Sequence, residues 1–123
     1  MLLTIDMRWL LEVQDRHLPD AIAVGDFTGL AAAVARHAHE PAALGHEPDP
    51  AWRAACLMHT LVRLRPLPER NELYAAVVAI GYMAACGEAI DPPYGALTDT
   101  AGDVHAYRVE TTELAERIRS WRI

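Results

Sequence analysis

A chain of 123 residues, 52% of them hydrophobic, is long enough for one domain with a real core and too apolar for global disorder. Its formal net charge of −6 argues against a broad basic face for nucleic acid or an anionic membrane. All 11 basic residues are arginine, so no side-chain amine exists for a Schiff base or for the lysine of a phosphate-binding P-loop, which excludes a kinase of that kind.

Along residues 5–17, Ile5, Trp9, Leu10 and Val13 recur at helical spacings, predicting a helix capped by Thr4 or Asp6. The opening "MLLTIDMRWLLEVQD" sets acids and an arginine among its leucines, unlike a signal peptide. "HLPDAIAVGD" interrupts the pattern with Pro19 and Gly25 and predicts a loop. A second helix is expected over 27–37, capped by Asp26, with Phe27, Leu30, Ala31 and Val34 as its apolar stripe. "EPAALGHEPDP" holds three prolines and one glycine and predicts a long exposed connection. Asp49 followed by Pro50 is the clearest helix start in the chain; this third helix runs to about residue 64, where "RPLP" ends it.

Asn71 is the expected N-cap of a fourth helix over 72–86, with Gly87 placed to terminate it. Residues 73–87 carry no charge and many alanines, the pattern of a helix packed on several sides at the centre of a bundle. That run is too short to span the ~30 Å of a bilayer core. "EAIDPPYGALTDTAGD" is expected to be mostly loop with room for a short helix. A last amphipathic helix covers residue 111 or 112 to residue 121, burying Leu114, Ile118 and Trp121. With no β-rich region, the expected fold is all-α, a compact bundle of about five to six helices in one domain over 1–123.

Cys56 and Cys86 are isolated, as expected of buried reduced thiols, and the cytoplasm is the expected compartment. His37, His39 and His46, and the C-x-x-H pair Cys56 and His59, place metal-ligating residue types near one another. No second compact ligand motif accompanies them, so core packing is the stronger expectation. The same holds for Trp9, Trp52 and Trp121. No serine precedes Ser120, and no nucleophile elbow or dinucleotide fingerprint is present.

The stretch with the most chemistry is "RPLPERN", residues 65–71, feeding the uncharged helix. A helix N-terminus offers free N–H groups and about half a positive charge, a ready anion site. From residue 52 to residue 87 the chain resembles the Fic/Doc family, in particular its short death-on-curing branch, whose members read approximately "ALLHSLARNHPFxDGNKRTAxxAxxxFLxxNG". Here the corresponding stretch is "ACLMHTLVRLRPLPERNELYAAVVAIGYMAACG", with His59, Pro66, Asn71, Ala75 and Gly87 on matching letters and Glu69 on the acidic position. Upstream, "GDFTGLAAAVARHA" resembles the family's helix before its long loop.

The resemblance implies an all-α bundle whose loop and following helix bind ATP phosphates and magnesium, and a chemistry that transfers AMP or phosphate to protein hydroxyls. It also implies protein partners: an antitoxin-like protein, or elongation factor Tu as target. The motif-equivalent loop residues are Arg65, Glu69 and Asn71. Arg65, Arg70 and Asn71 are candidates for holding a nucleotide or other anion, and Glu69 for magnesium if nucleotide binds. Three departures count against the family's usual transfer. Its catalytic histidine is replaced by Arg65, which cannot take a proton. Its loop glycine is replaced by Arg70, and its following basic pair by Glu72 and Leu73. The expectation is a toxin-like protein with a degenerate loop and no transfer of that kind, acting through a protein partner. The alternatives are a divergent nucleotide-dependent transferase, and a structural or homo-oligomeric subunit.

Overall fold

The computed structural model describes residues 3–18, 24–43 and 49–123. Among the described residues six helices follow one another: α1 (Met7–His17), α2 (Phe27–Ala43), α3 (Pro50–Leu64), α4 (Asn71–Ala85), α5 (Ala96–His105) and α6 (Thr111–Ser120). Among the described residues the one extended pairing is an isolated antiparallel bridge between Ile90 and Arg122. The fold is all-α, as expected. Much of the first predicted loop (19–23), and 44–48 of the second with His46, lie outside the described residues.

Caps set the helix starts. The Asp6 carboxylate, not Thr4, accepts from the Trp9 N–H at 3.0 Å, so α1 begins at Met7. Asp49 accepts from the Trp52 N–H at 2.8 Å, with Pro50 in the first turn. α2 runs on to Ala43 instead of ending near residue 37. Pro41 has no N–H for the His37 carbonyl one turn back. Arg53 of α3 supplies the missing donor: its Nη1 donates to the His37 carbonyl at 3.0 Å and to that of Ala38 at 3.4 Å. A tertiary bond thus replaces the one proline removes.

The expected central helix was α4, which carries no charge after Glu72; the centre is α3. Every residue of α3 from Pro50 to Val62 is buried, and it packs against α2, α4, α5 and α6. Its polar members are accommodated by bonding inside the fold, as Arg53 does and as Thr60 does by donating to the Cys56 carbonyl at 2.8 Å. Ala51, Ala54 and Ala55 let its neighbours approach closely. α4 packs on α1, α3 and α5 and keeps one apolar face outward, with Leu73 and Ile80 exposed. Gly87 ends α4 as expected, at φ 78, with the Glu88 N–H donating to the Met83 carbonyl at 2.9 Å.

The N-terminal segment is tied down by hydroxyls and one histidine. Tyr74 donates to the Leu10 carbonyl at 2.7 Å, and Tyr82 donates to that of Leu3. His37, fully buried, accepts from the Ile5 N–H at Nε2 (3.2 Å) and donates from Nδ1 to the Arg53 carbonyl (3.2 Å). Burial is the main reason its pKa falls to about 4.

Candidate functional site

The loop between α3 and α4 is held by its backbone and by one amide. Arg65 ends α3 in a left-handed conformation, φ 49 and ψ 63. The Pro66 carbonyl then accepts from the Gly25 and Asp26 N–H groups, at 2.9 and 3.1 Å. A Cβ on Gly29 would lie 3.3 Å from that of Pro66, so the head of α2 packs tightly on the loop. Asn71 does not cap α4. Its Oδ1 accepts from the Leu67 N–H and its Nδ2 donates to the Leu67 carbonyl, both at 2.9 Å. The buried amide is consumed in closing the turn. The N-cap is Arg70, at φ 61 and ψ 32, with no side-chain cap bond.

Charge at the mouth of α4 is organised by one pair. Arg65 Nη1 and Nη2 donate to Glu72 Oε1 and Oε2, at 2.7 and 3.4 Å. The Arg65 bond is the main reason the Glu72 carboxyl is held below its ordinary value; a bond from its own backbone N–H adds to this. An acid therefore occupies the first turn of α4, where a phosphate would sit. His105 Nδ1 is 3.5 Å from Arg65 Nη1. Glu69 and Arg70 lie on the surface. Of the motif-equivalent residues, the fold turns Asn71 inward, pairs Arg65 with Glu72, and leaves Glu69 exposed.

A second polar assembly lies beside the loop and includes His59. Arg36 of α2 reaches across to α3 and α6. Its Nη1 is 2.7 Å from His59 Nδ1 and donates to Thr60 Oγ1 at 3.1 Å, while Nη2 donates to Thr111 Oγ1 at 2.7 Å. A guanidinium has no lone pair to offer, so Nδ1 accepts and the His59 proton sits on Nε2, 3.9 Å from Glu110 Oε2. That geometry orients His59 as a structural donor and takes its basic nitrogen out of use. Arg63 donates from Nε to the Val104 carbonyl at 3.0 Å and lies 3.7 Å over the Tyr107 ring. Arg36, Arg63, His39 and His59, with Ala32, Ala35, Thr60 and Leu64, line an open cleft of about 790 Å³ between α2 and α3. The cleft ends at Leu64, one residue before the loop. Its members come from separate helices, and the one local signal was an arginine set among alanines in "AVARHAHE".

Of the histidines the structure describes, His37 and His59 are engaged in packing and hydrogen bonds. Both His37 nitrogens are hydrogen-bonded inside the core, and His59 Nδ1 is taken by Arg36. Among the described residues no group of three or more histidine, cysteine, aspartate or glutamate side chains is arranged to hold a metal ion. No helix of the described chain is long and apolar enough to cross a membrane. No family model matches the chain, and a search of curated proteins gave no match.

Proposed function

We propose that this chain is a Fic/Doc-like protein, resembling the toxin of a toxin–antitoxin module, that works by binding a protein partner and not by AMP or phosphate transfer. The Arg65–Glu72 pair carries the reading. With Glu72 in the first turn of α4, a triphosphate arriving there meets an anion, and the guanidinium that would attract it is already engaged. Arg65 supplies no base at any physiological pH, and loss of general-base catalysis alone is worth about 10²–10⁴-fold. The backbone supports the resemblance: Arg70 is left-handed at the position where the family has glycine, the residue that takes that conformation without strain.

The partner surface is the cleft between α2 and α3. Its lining is almost wholly apolar, with Ala32, Ala35 and Leu64 beside the stems of Arg36 and Arg63, which suits the apolar face of a partner's helix, such as a segment of an antitoxin-like protein. Calorimetry with ATP and magnesium tests the first half: no heat is expected at about millimolar nucleotide. The combined variant Arg65→His, Arg70→Gly, Glu72→Lys is expected to gain binding. Micromolar binding by the natural sequence, lost in Arg70→Ala, would instead favour a divergent transferase. Growth arrest on induction that Glu69→Ala abolishes would do the same. Size-exclusion of the protein with the product of its neighbouring gene tests the second half, with Ala35→Glu expected to abolish the complex.

A further inference from the structure

Arg36, His39, His59 and Arg63 all line the cleft between α2 and α3, yet the surface they give it is almost wholly carbon. Both arginines meet the cleft with their stems and turn their heads elsewhere. The Arg36 head lies against His59 Nδ1 and donates to Thr60 Oγ1 and Thr111 Oγ1. The Arg63 head donates from Nε to the Val104 carbonyl at 3.0 Å and lies 3.7 Å from the centre of the Tyr107 ring. Its Nη2 is 3.8 Å from Glu110 Oε1. Val104, Tyr107, Glu110 and Thr111 belong to one stretch: the end of α5, the turn after it and the first residue of α6.

Resting on the reading of that cleft as the partner surface, we infer that residues 104–111 decide its specificity. By holding two guanidinium heads outside, they make the cleft accept an uncharged apolar helix face and gain nothing from acids on it. The backbone at Tyr107 is the first reason. Tyr107 lies just past the end of α5 at φ 63. Its N–H donates to the Val104 carbonyl at 3.1 Å and the Arg108 N–H to that of Asp103 at 2.8 Å, a helix ending that ordinarily uses glycine. A tyrosine there is strained, and at 73% exposure burial recovers little of the cost. What the ring does have is Arg63. The second reason is how Arg63 is captured. Its planar head is bonded at Nε, covered on one face by the ring and drawn at Nη2 by a carboxylate, so it enters the cleft only by leaving all three. Glu110 is the third reason. It occupies the N-cap position of α6 but makes no side-chain cap bond. Its two oxygens face Arg63 Nη2 and His59 Nε2 instead, at 3.8 and 3.9 Å. Specificity is a difference of affinities: with the heads withdrawn, acids on a partner find no counter-charge in the cleft, and with the heads released they would.

Calorimetry with two synthetic amphipathic helical peptides tests this, their apolar faces identical and flanked by glutamate in one and glutamine in the other. The natural protein is expected to bind the two within about threefold of each other, with little dependence on salt. The combined variant Tyr107→Gly, Glu110→Gln, Thr111→Val releases the heads. It is expected to favour the glutamate peptide at least about tenfold, a preference that about 0.5 M salt removes. If the change at buried Thr111 disturbs folding, Tyr107→Gly with Glu110→Gln, both exposed positions, takes its place. Tyr107→Phe, which keeps the ring, and Glu116→Gln, which changes net charge equally on the surface of α6, are expected to behave as the natural protein. A natural protein that already prefers the glutamate peptide in a salt-dependent way overturns the inference, as does a combined variant without that preference. Binding of neither peptide counts against the cleft as partner surface, and the hold on Arg63 is then read directly. Its Nε–H is expected to exchange with water at least about tenfold faster in the combined variant than in the natural protein, and equal rates overturn the inference.

Discussion

Arg70 and His37 show what single side chains do in this fold that their residue type does not announce. Arg70 holds a left-handed backbone at φ 61, which costs a residue with a Cβ roughly 1–2 kcal/mol. Part of that is regained because a glycine would enlarge the unfolded ensemble. Arg70→Gly is accordingly expected to raise stability by about 0.5–1 kcal/mol, read as a higher urea midpoint at constant slope; a lower midpoint would show that the Arg70 side chain outweighs the strain. His37 takes its proton near 6.5 ordinarily but only near about 4 in the fold. Between these values the unfolded chain holds more protons, so stability rises with pH. The contribution is complete above about 6.5 and lost as pH falls through about 4, a change of about 3 kcal/mol. Denaturation at pH 7 and 4.5 measures it. His37→Gln starts weaker and is expected to lose this dependence; equal slopes in both proteins would refute the assignment. The carboxylates act lower, since Asp49 and Glu72 are held below their ordinary 3.8 and 4.5. They stabilise above those values and lose it as pH falls further.

At the scale of the helix, Asp49 does two jobs. It caps α3 through the Trp52 N–H, and its two oxygens accept from Arg119 of α6 at 2.8 and 3.1 Å. Burial would raise its pKa, but the Arg119 and Trp52 bonds outweigh that. The cap is worth about 1 kcal/mol and the partly exposed pair about 0.5 kcal/mol. Asp49→Ala should therefore cost about 1.5 kcal/mol, and Asp49→Asn, which keeps the acceptor oxygen, about 0.5 kcal/mol. A double-mutant cycle with Arg119→Ala separates the two, and zero coupling would remove the α3–α6 clamp. "DP" at 49 and 50 was visible as a start signal because a cap is local. The end of α2 was not, since its continuation past Pro41 depends on Arg53, 12 residues downstream in the next helix. Asn71 misled for the same reason: it is an ordinary capping residue whose amide found the Leu67 backbone instead.

For the whole molecule, α3 is the common wall of the bundle, and its neighbours depend on it together. Leu61 is fully buried there. Leu61→Ala is expected to cost about 3 kcal/mol and to lower hydrogen-exchange protection in α2, α4 and α6 in parallel, with one cooperative transition retained. Loss confined to α3 would mean the bundle is not a single unit. Helical class, helix number, most caps and the absence of charge on α4 after Glu72 were legible in the sequence, because each depends on residues within a turn or two of one another. Which helix is central, where Asn71 points, that Arg65 meets Glu72, and that Arg36 joins His59 to Thr111 were decided by the tertiary structure. Those outcomes depend on which distant groups share the space around a side chain, and periodicity along the chain carries no record of that.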